Sequence, residues 1–495
     1  MRPTPKPACK QIGGVKYGYG IGHLEVTVTQ YVAFLNTADP AGRNRHRLYS
    51  ANDSSSAWPK YGQINFASGA SKGRHYSVAY PEWADKPYGF ANFLRSARFA
   101  DRLEAEHRHG PGSKRPRARS EQSGSTRERV RHRQVPRLVR AASLGSVGSV
   151  RTAVTELLAI EHPILQAPMA SVATPELAAA VSEAGGLGAL GSATLAPDEL
   201  RLEAAAVRKR TGRPFQLNFF CHEQPEFSAA AGVAARDRVA SLFAELGVGD
   251  PPEPSVPPIG FDDARLEALL EIRPPVASFI FGLPGADAVA ACRDAGIRIL
   301  ASATTVAEAS DLERRGVDAV VAQGGEAGGH RASFLVEGDD GPVGTLALVP
   351  QVVDAVGVPV IAAGGIADGR GVAAALALGA GAAQIGTGFV PATESAAPTA
   401  YRKALAEMPA ERTTITRNFS GRPARALRNR ITDEVQAPLP YPAQLSLTGP
   451  LREASADTSA MWAGQAGALA REEPARAIVE RIASEAEQVL ARLTR

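Results

Sequence analysis

Residues 319–334, AVVAQGGEAGGHRASF, carry an apolar run into four glycines and a histidine, His330, with Gln323 opening the turn. Glycine lets backbone N–H groups approach a phosphate or a flat ring with no Cβ in the way, and a histidine of ordinary pKa can take up or release a proton near neutral pH. Two further stretches are built alike: AAGGI holds Gly364 and Gly365, and QIGTG holds Gln384, Ile385, Gly386 and Thr387. Backbone N–H groups in such loops, with a helix amino terminus behind them, can hold a phosphate dianion without any lysine. One glycine loop is equally well a tight turn, but two of them beside a histidine point to a phosphate-bearing cofactor. Asn218 in QLNFF and Gln323 can each donate and accept hydrogen bonds, as the polar edges of such a ring require, and Met169 in APM could lie against its face. Against this stand two plain alternatives: amides satisfied by backbone, and a core methionine.

Between residues 151 and 495 the histidines are His162, His222 and His330. His162 precedes the first apolar run and is expected to be structural. His222 follows the QLNFF run and is at most a supporting residue. His330 is the candidate catalytic group, suited to accept a carbon-bound proton or to face an anion. No Ser/His/Asp order and no pair of acids competes with it.

These residues need a scaffold that brings distant loops to one place. From 151 onward, apolar runs alternate with alanine-rich helical stretches. The runs are 163–169, 187–191, 215–220, 276–281, 298–303, 319–324, 359–365 and 382–388. Helices at 174–185, 306–316 and 368–379 are each followed or ended by the glycine that commonly closes a helix. Near-continuous apolar strands alternating with helices imply an α/β fold with a parallel sheet, and eight repeats imply a closed (β/α)8 TIM barrel. An open doubly wound sheet would want G-x-G-x-x-G after its first strand, and APMASVATP stands there instead. In such a barrel the site lies at the carboxyl ends of the strands, with phosphate at the loops after strands seven and eight, where Gly364–Gly365 and Gly386–Thr387 fall. Residues 221–275 form an oversized, proline-rich connection expected to add helices beside the mouth, and residues after 390 form a carboxy-terminal helical extension.

Composition divides the chain. Its 495 residues exceed one ordinary domain, and 44% hydrophobic residues supply at least one large core. Lys+Arg 55 against Asp+Glu 51 is close to balance, so net charge does not mark a nucleic-acid binder. The basic excess is local: residues 107–140 carry eleven Lys/Arg against Glu121 and Glu128, with almost nothing apolar. Residues 107–150 therefore read as a disordered basic linker rather than a nucleic-acid tail, since no aromatic side chain interleaves with the arginines to stack on bases. The run 371–390 reaches membrane-spanning length but is mostly Ala and Gly, and reads as a helix followed by a buried strand. Cys9, Cys221 and Cys292 lie too far apart for a disulfide framework or a metal site, and the first twenty residues lack a secretory apolar run, so a reducing cytoplasm is expected. Neither nucleic acid nor membrane is expected as a partner, and nothing sets an oligomeric state. Residues 1–106 read as an incomplete α+β segment. HLEVTVTQYVAFLN (23–36) and DKPYGFANFLRSARFADRL (85–103) resemble the amino-terminal half of the formylglycine-generating, sulfatase-modifying family. That family's chemistry lies in its other half, so no activity is expected here; the segment reads as a fusion or reading-frame scar, or a degenerate interaction module.

Residues 151–495 carry a second resemblance. QAPMASVATPELAAAVSEAGGLG, QLNFFCH, VVAQGGEAGGHRASF, IAAGGIADGRG, QIGTGFVPATES and FSGRPARALRNR resemble the nitronate monooxygenases, formerly 2-nitropropane dioxygenases, and most closely their class I branch. The resemblance implies an FMN-dependent (β/α)8 enzyme that oxidises alkyl nitronates, such as propionate 3-nitronate, with dioxygen to carbonyl compounds and nitrite. It implies FMN contacts at Asn218, Gln323, Gly328, Gly365 and Gln384 to Thr387, with His330 catalytic. Ala170-Ser171 stand where that family often has a glycine, and Tyr441 with MWAGQAG (461–467) resembles its closing segment over the pocket. Two rival expectations are an NAD(P)H:quinone reductase or flavin-dependent enoyl-thioester reductase on the same barrel, and a non-catalytic interaction protein.

Overall fold

The computed structural model describes residues 150–336 and 341–493, together with the backbone of two short strands, Ile64–Phe66 and Tyr76–Val78. The chain divides into two units, Met1–Val130 and Arg131–Arg495. In the first, the two strands pair antiparallel, Ile64 opposite Val78. The expectations of an incomplete formylglycine-generating-type segment and a disordered basic linker lie otherwise outside the described residues.

In the second unit eight parallel strands follow in order: β1 Ile164–Gln166, β2 Gly188–Gly191, β3 Phe215–Phe220, β4 Val276–Ile280, β5 Arg298–Ala303, β6 Ala319–Gln323, β7 Val360–Ala363 and β8 Ala382–Ile385. Each pairs with its sequence neighbour from β2 to β7, the long connection after β6 included, and β8 lies between β7 and β1. A parallel bridge between Leu165 and Leu187 joins β1 to β2 and closes the ring. The expected (β/α)8 barrel is the observed one, because buried parallel strands must be apolar on both faces and each crossover needs a helix.

Two apolar layers hold it. Leu165, Val276, Leu300, Val321 and Ile361 meet inside the barrel, where Val154 and Leu158 of the short helix Ala153–Leu158 plug the amino-terminal end. Outside, Leu217, Phe219, Phe279, Ile299 and Val320 pack against the helical shell. The expected helix ends hold too: Gly185, Gly316 and Gly379 all have positive φ, at 86°, 91° and 95°.

Several strands are shorter than the apolar runs that encode them. β1 stops at Gln166, two residues before Pro168, and β7 stops at Ala363, before Gly364 and Gly365 turn the chain with φ of 111° and 71°. The last residues of those runs therefore leave the ladder at the barrel mouth.

Three additions shape that mouth. The helix α1, Ala229–Leu246, lies within the long connection after β3 and packs on α2, Ala443–Ala454. A small antiparallel sheet sets Ala424–Leu427 between Thr413–Thr416 and the two residues Gly329–His330. A final helix, α3 (Ala475–Leu493), lies against the barrel helix Gly369–Ala377. Gly369 is required there, since a Cβ would sit 2.3 Å from that of Glu485. Among the described residues no helix is long and apolar enough to cross a membrane.

Candidate active site

The carboxyl ends of the strands open into a cavity of about 500 Å³, inside the roughly 300–1,000 Å³ range of small-molecule sites. Met169, Asn218, Gln323, Gly328, His330, Gly364, Gly365, Gln384, Gly386 and Thr387 all line it. Ile385 does not: its side chain is fully buried in the core and its carbonyl accepts from Ala167 N–H at 2.8 Å, so it offers a cofactor no side-chain contact. His162 lies at the opposite end of the barrel, its N–H donating to the Gly185 carbonyl. No group of three or more His, Cys, Asp or Glu among the described residues could hold a metal ion.

His330 is set by a polar frame beneath the glycine loop. Gln323 Nε2 donates to the His330 carbonyl at 3.0 Å, while Gln323 Oε1 accepts from Arg331 Nη1 and Ala332 N–H, each at 3.0 Å. Gln323, expected at the ring of a cofactor, thus spends most of its amide on the loop and keeps one N–H to offer. Glu326 binds Thr345 N–H and Oγ1, and the buried Arg425 donates to the Gly325 carbonyl at 2.8 Å. The strand pairing of His330 with Ala424 completes the frame from the carboxy-terminal extension.

The imidazole lies in an aromatic box. Ring centres of Trp462, Tyr441, Phe281 and Phe220 stand 5.2, 5.4, 6.0 and 6.1 Å from its own. Its Nε2 is 2.9 Å from Ser420 Oγ. Nδ1 has no partner among the described residues and is not buried against protein, so its access is through the cavity that the ring lines. Burial, with smaller contributions from the Arg422 guanidinium and from His222, pushes the His330 pKa down to about 3. The ring is therefore neutral at neutral pH, unlike the group titrating near 6.5 that sequence suggests. A hydroxyl both donates and accepts, so Ser420 supports either neutral tautomer. Nδ1 can present an N–H to an anionic oxygen, or a lone pair to a proton.

Across the mouth, Gly365, Gly386 and Thr387 line the cavity, and their backbone N–H groups donate to no acceptor among the described residues. Three unspent donors on glycine-rich loops after β7 and β8 fit a phosphate. On β3, Asn218 is nearly buried, with Nδ2 fixed by the Ser278 carbonyl and hydroxyl at 3.2 and 3.0 Å; its Oδ1 remains to accept from a ring N–H. Met169 lines the cavity with its sulfur about 4.0 Å from the position of a Cβ on Gly386. Ser171, where a glycine is often found in the resembled family, sits in the left-handed region at φ 64°, a conformation glycine adopts without strain.

Several residues of the site were given no role by motif. Ser420, within FSGRPARALRNR and 90 residues from His330 in sequence, and Phe281 pack on the imidazole, while Ser278, Ile259 and Arg452 line the cavity and belong to no glycine motif. The 461–467 segment lines the cavity through Trp462, Gly464 and Ala466, largely as irregular chain. Gly464 N–H donates to Thr387 Oγ1 at 2.9 Å, Gln465 N–H donates to the Glu326 carbonyl, and the Tyr401 hydroxyl donates to the Trp462 carbonyl. Gly328 is pinned by it, since a Cβ there would lie 2.5 Å from Gly464 N. His222 stacks edge-on to Tyr441 at 4.8 Å, and both its ring nitrogens are buried without a partner.

Known proteins resemble this chain over the barrel and its carboxy-terminal extension. A nitronate monooxygenase from Paraburkholderia phytofirmans is 44% identical over 355 residues, 69% of this chain and 97% of that protein. One from Pseudomonas aeruginosa is 46% identical over 343 residues, covering 67% and 98%. Among solved structures, nitroalkane oxidase from Streptomyces ansochromogenes superposes with a TM-score of 0.63 at 42% identity, over 69% of this chain and 100% of that one. FabK from Thermotoga maritima gives 0.54 at 34% identity over 70% and 99%. The sequence profile of the family described as nitronate monooxygenase matches residues 151–485, from the helix that plugs the barrel into the last helix, and this chain belongs to that family.

Proposed function

We propose that the barrel binds FMN and oxidises alkyl nitronates, propionate 3-nitronate among them, with dioxygen to carbonyl compounds and nitrite. The observation that carries this reading is the opposition, across one cavity, of a neutral histidine and three unspent backbone donors. Among the described residues the lining holds no aspartate or glutamate, so none of them repels an anionic substrate there.

FMN, when bound, supplies the electron acceptor and the site at which dioxygen is engaged. Gly365, Gly386 and Thr387 would hold its phosphate through N–H groups; Asn218, Gln323 and Gln384 would meet the polar edges of its ring, and Met169 its face. The chain's own chemistry falls to His330. Toward a nitronate, its Nδ1–H donates to a nitro oxygen while Nε2 accepts from Ser420. Toward a neutral nitroalkane the other tautomer applies, and Nδ1 takes the proton from the carbon α to the nitro group. With its basicity depressed by burial, His330 is a weak base, so the preformed anion is the better substrate. Trp462 and the segment around it keep bulk water from the reacting carbon. We place the reaction in the cytoplasm, since Cys221 and Cys292 are free thiols.

The test is the flavin spectrum of the purified protein mixed without oxygen with propionate 3-nitronate or with NADH, followed by air. Bleaching by the nitronate, nitrite release in air and no response to NADH are expected. Rapid bleaching by NADH alone would assign the barrel to a nicotinamide-dependent reductase instead.

A further inference from the structure

Arg422 stands one ring behind His330 and lines no part of the cavity. Its guanidinium lies 3.8 Å from the centre of the Phe281 ring, whose edge-on neighbours include His330 at 6.0 Å and His222 at 6.2 Å. Nη2 donates to the carbonyl of Ser333, in the stretch of chain that leaves His330. The backbone of Arg422 reaches the same imidazole by a second route. Its N–H and carbonyl lie 3.4 and 3.3 Å from Ser420 Oγ, the atom that is 2.9 Å from His330 Nε2.

The ring under the guanidinium is held against its backbone preference. Phe281 has φ 66°, in the left-handed region that so large a side chain avoids, just past the end of β4. Such a conformation persists where surrounding contacts over-determine it. Here they are the rings of Phe220 and Tyr441 at 5.1 and 5.8 Å, the two histidines, and a cation over the π-face, an attraction that strengthens as water is excluded.

A guanidinium keeps its charge throughout the range in which an imidazole titrates. Besides Arg422, the ionisable groups packed about the His330 ring among the described residues are His222 after β3, Tyr441 before α2, and Arg331 and Arg425, whose guanidiniums turn away to the Gly324 and Gly325 carbonyls. Burial is the first influence on His330 and on His222, and Arg422 is the next, opposing a positive charge on either ring.

We propose that Arg422 is a positioning residue for the reaction: clamped on Phe281 and Ser333, it fixes the imidazole of His330 from behind and keeps a permanent positive charge outside the cavity. The proposal rests on the nitronate reading above for the step it acts on. A nitronate arrives as an anion and is attracted by that charge. A neutral nitroalkane is not. When His330 Nδ1 takes the α-proton, the C–H electron pair passes to the nitro group, so an imidazolium and a nitronate form together and net charge is unchanged. The imidazolium forms nearer the cation than the nitronate does, so Arg422 opposes this step more than it assists it.

The experiment compares the FMN-loaded, full-length wild type with Arg422→Met and Arg422→Lys. The quantity read is kcat/KM for nitroethane divided by that for preformed ethyl nitronate. The ratio should rise about 3–10-fold in Arg422→Met, with the nitronate losing through KM, and return toward wild type in Arg422→Lys, which keeps the charge. A loosened loop would lower both substrates together, and an unchanged ratio would overturn the proposal. A lysine variant that behaves as the methionine one would overturn it as well. Should Arg422→Met fail to fold, Arg422→Gln, uncharged but able to donate to Ser333, carries the same comparison. Nitrogen NMR of isotope-labelled histidines gives a readout independent of turnover, with His222 and His330 assigned by their loss from His222→Phe and His330→Asn. Both rings should take up protons at higher pH in Arg422→Met than in wild type or Arg422→Lys. Coincident titrations in the three proteins would overturn the proposal whether or not the wild type consumes a nitronate. Absence of nitronate turnover in wild type would remove the nitronate reading itself, and the titrations alone would then decide whether Arg422 acts on the imidazole.

Discussion

Ser420 Oγ lies 2.9 Å from His330 Nε2, and this contact decides which nitrogen of the imidazole meets the cavity. The hydroxyl also approaches the Arg422 carbonyl at 3.3 Å, so it has an alternative acceptor when His330 turns donor. Ser420→Ala removes the exchangeable partner and leaves Nε2 to face an apolar methyl group. We expect kcat with preformed nitronate to fall about 10-fold, the worth of one buried hydrogen bond, with flavin content unchanged. Ser420→Thr should restore most of it. Full activity in the alanine variant would mean that the contact does not hold the ring for the reaction.

His330→Asn separates the two tasks assigned to the ring. Asparagine can donate to a nitro oxygen but cannot take a carbon-bound proton. Nitroethane turnover should vanish into the background, while turnover of its preformed nitronate should fall only about 10–100-fold. Equal losses on both substrates would sink the division of roles.

Flavin retention tests the glycine loops. Gly386 has an ordinary φ of −103°, so Gly386→Val introduces little backbone strain. Its Cβ would lie 3.3 Å from that of Ala167, and the branched side chain would fill the space before the Gly386 and Thr387 N–H groups. The variant should purify with little flavin while its far-ultraviolet circular dichroism stays that of wild type. A normal ratio of flavin to protein would remove Gly386 from the cradle.

Acid stability should depend on His222. Burial first, and Arg422 second, push its pKa down to about 4 from the ordinary 6.5. The unfolded chain therefore takes up this proton before the folded one, and the stability held above about pH 6.5 is lost as pH falls toward 4. In His222→Phe, which suits the edge-on packing against Tyr441 and Phe281, the urea midpoint should fall less steeply between pH 6.5 and 4.5. The difference cannot exceed the ~1.4 kcal/mol per pH unit that one proton allows, and it should stay below that because part of the ring outside its nitrogens is exposed. Parallel pH profiles for the two proteins would show that His222 is already solvated when folded.

The barrel was legible because its signals are local. VASFI, RILASA and AVVAQ are largely apolar, and such runs, separated by helices that end in glycine, have few other folds to enter. The glycine loops were legible for a related reason: Gly364 and Gly365 adopt φ values that other residues avoid, so their identity encodes their geometry. What escaped depends on tertiary contact. Ser420 looks like any serine until the Gly329–His330 strand pairs with Ala424–Arg425 and brings it to the imidazole. Ile385 looks like part of the QIGTG loop, but the alternation of β8 turns its side chain into the core. The low pKa of His330 is a property of Trp462, Tyr441 and Phe281 closing around it, and no window of sequence contains all four.

The pairing of Gly329–His330 with Ala424–Arg425 also fixes when His330 acquires its surroundings. During synthesis β1 to β8 leave the ribosome well before Ser420, Tyr441 and Trp462, and contacts between residues so far apart in sequence carry a large loop-closure cost. An amino-terminal portion of this chain can therefore assemble its barrel while His330 is still unboxed and open to water. In the complete fold the segments carrying Ser420, Tyr441 and Trp462 lie back over the mouth and enclose the ring.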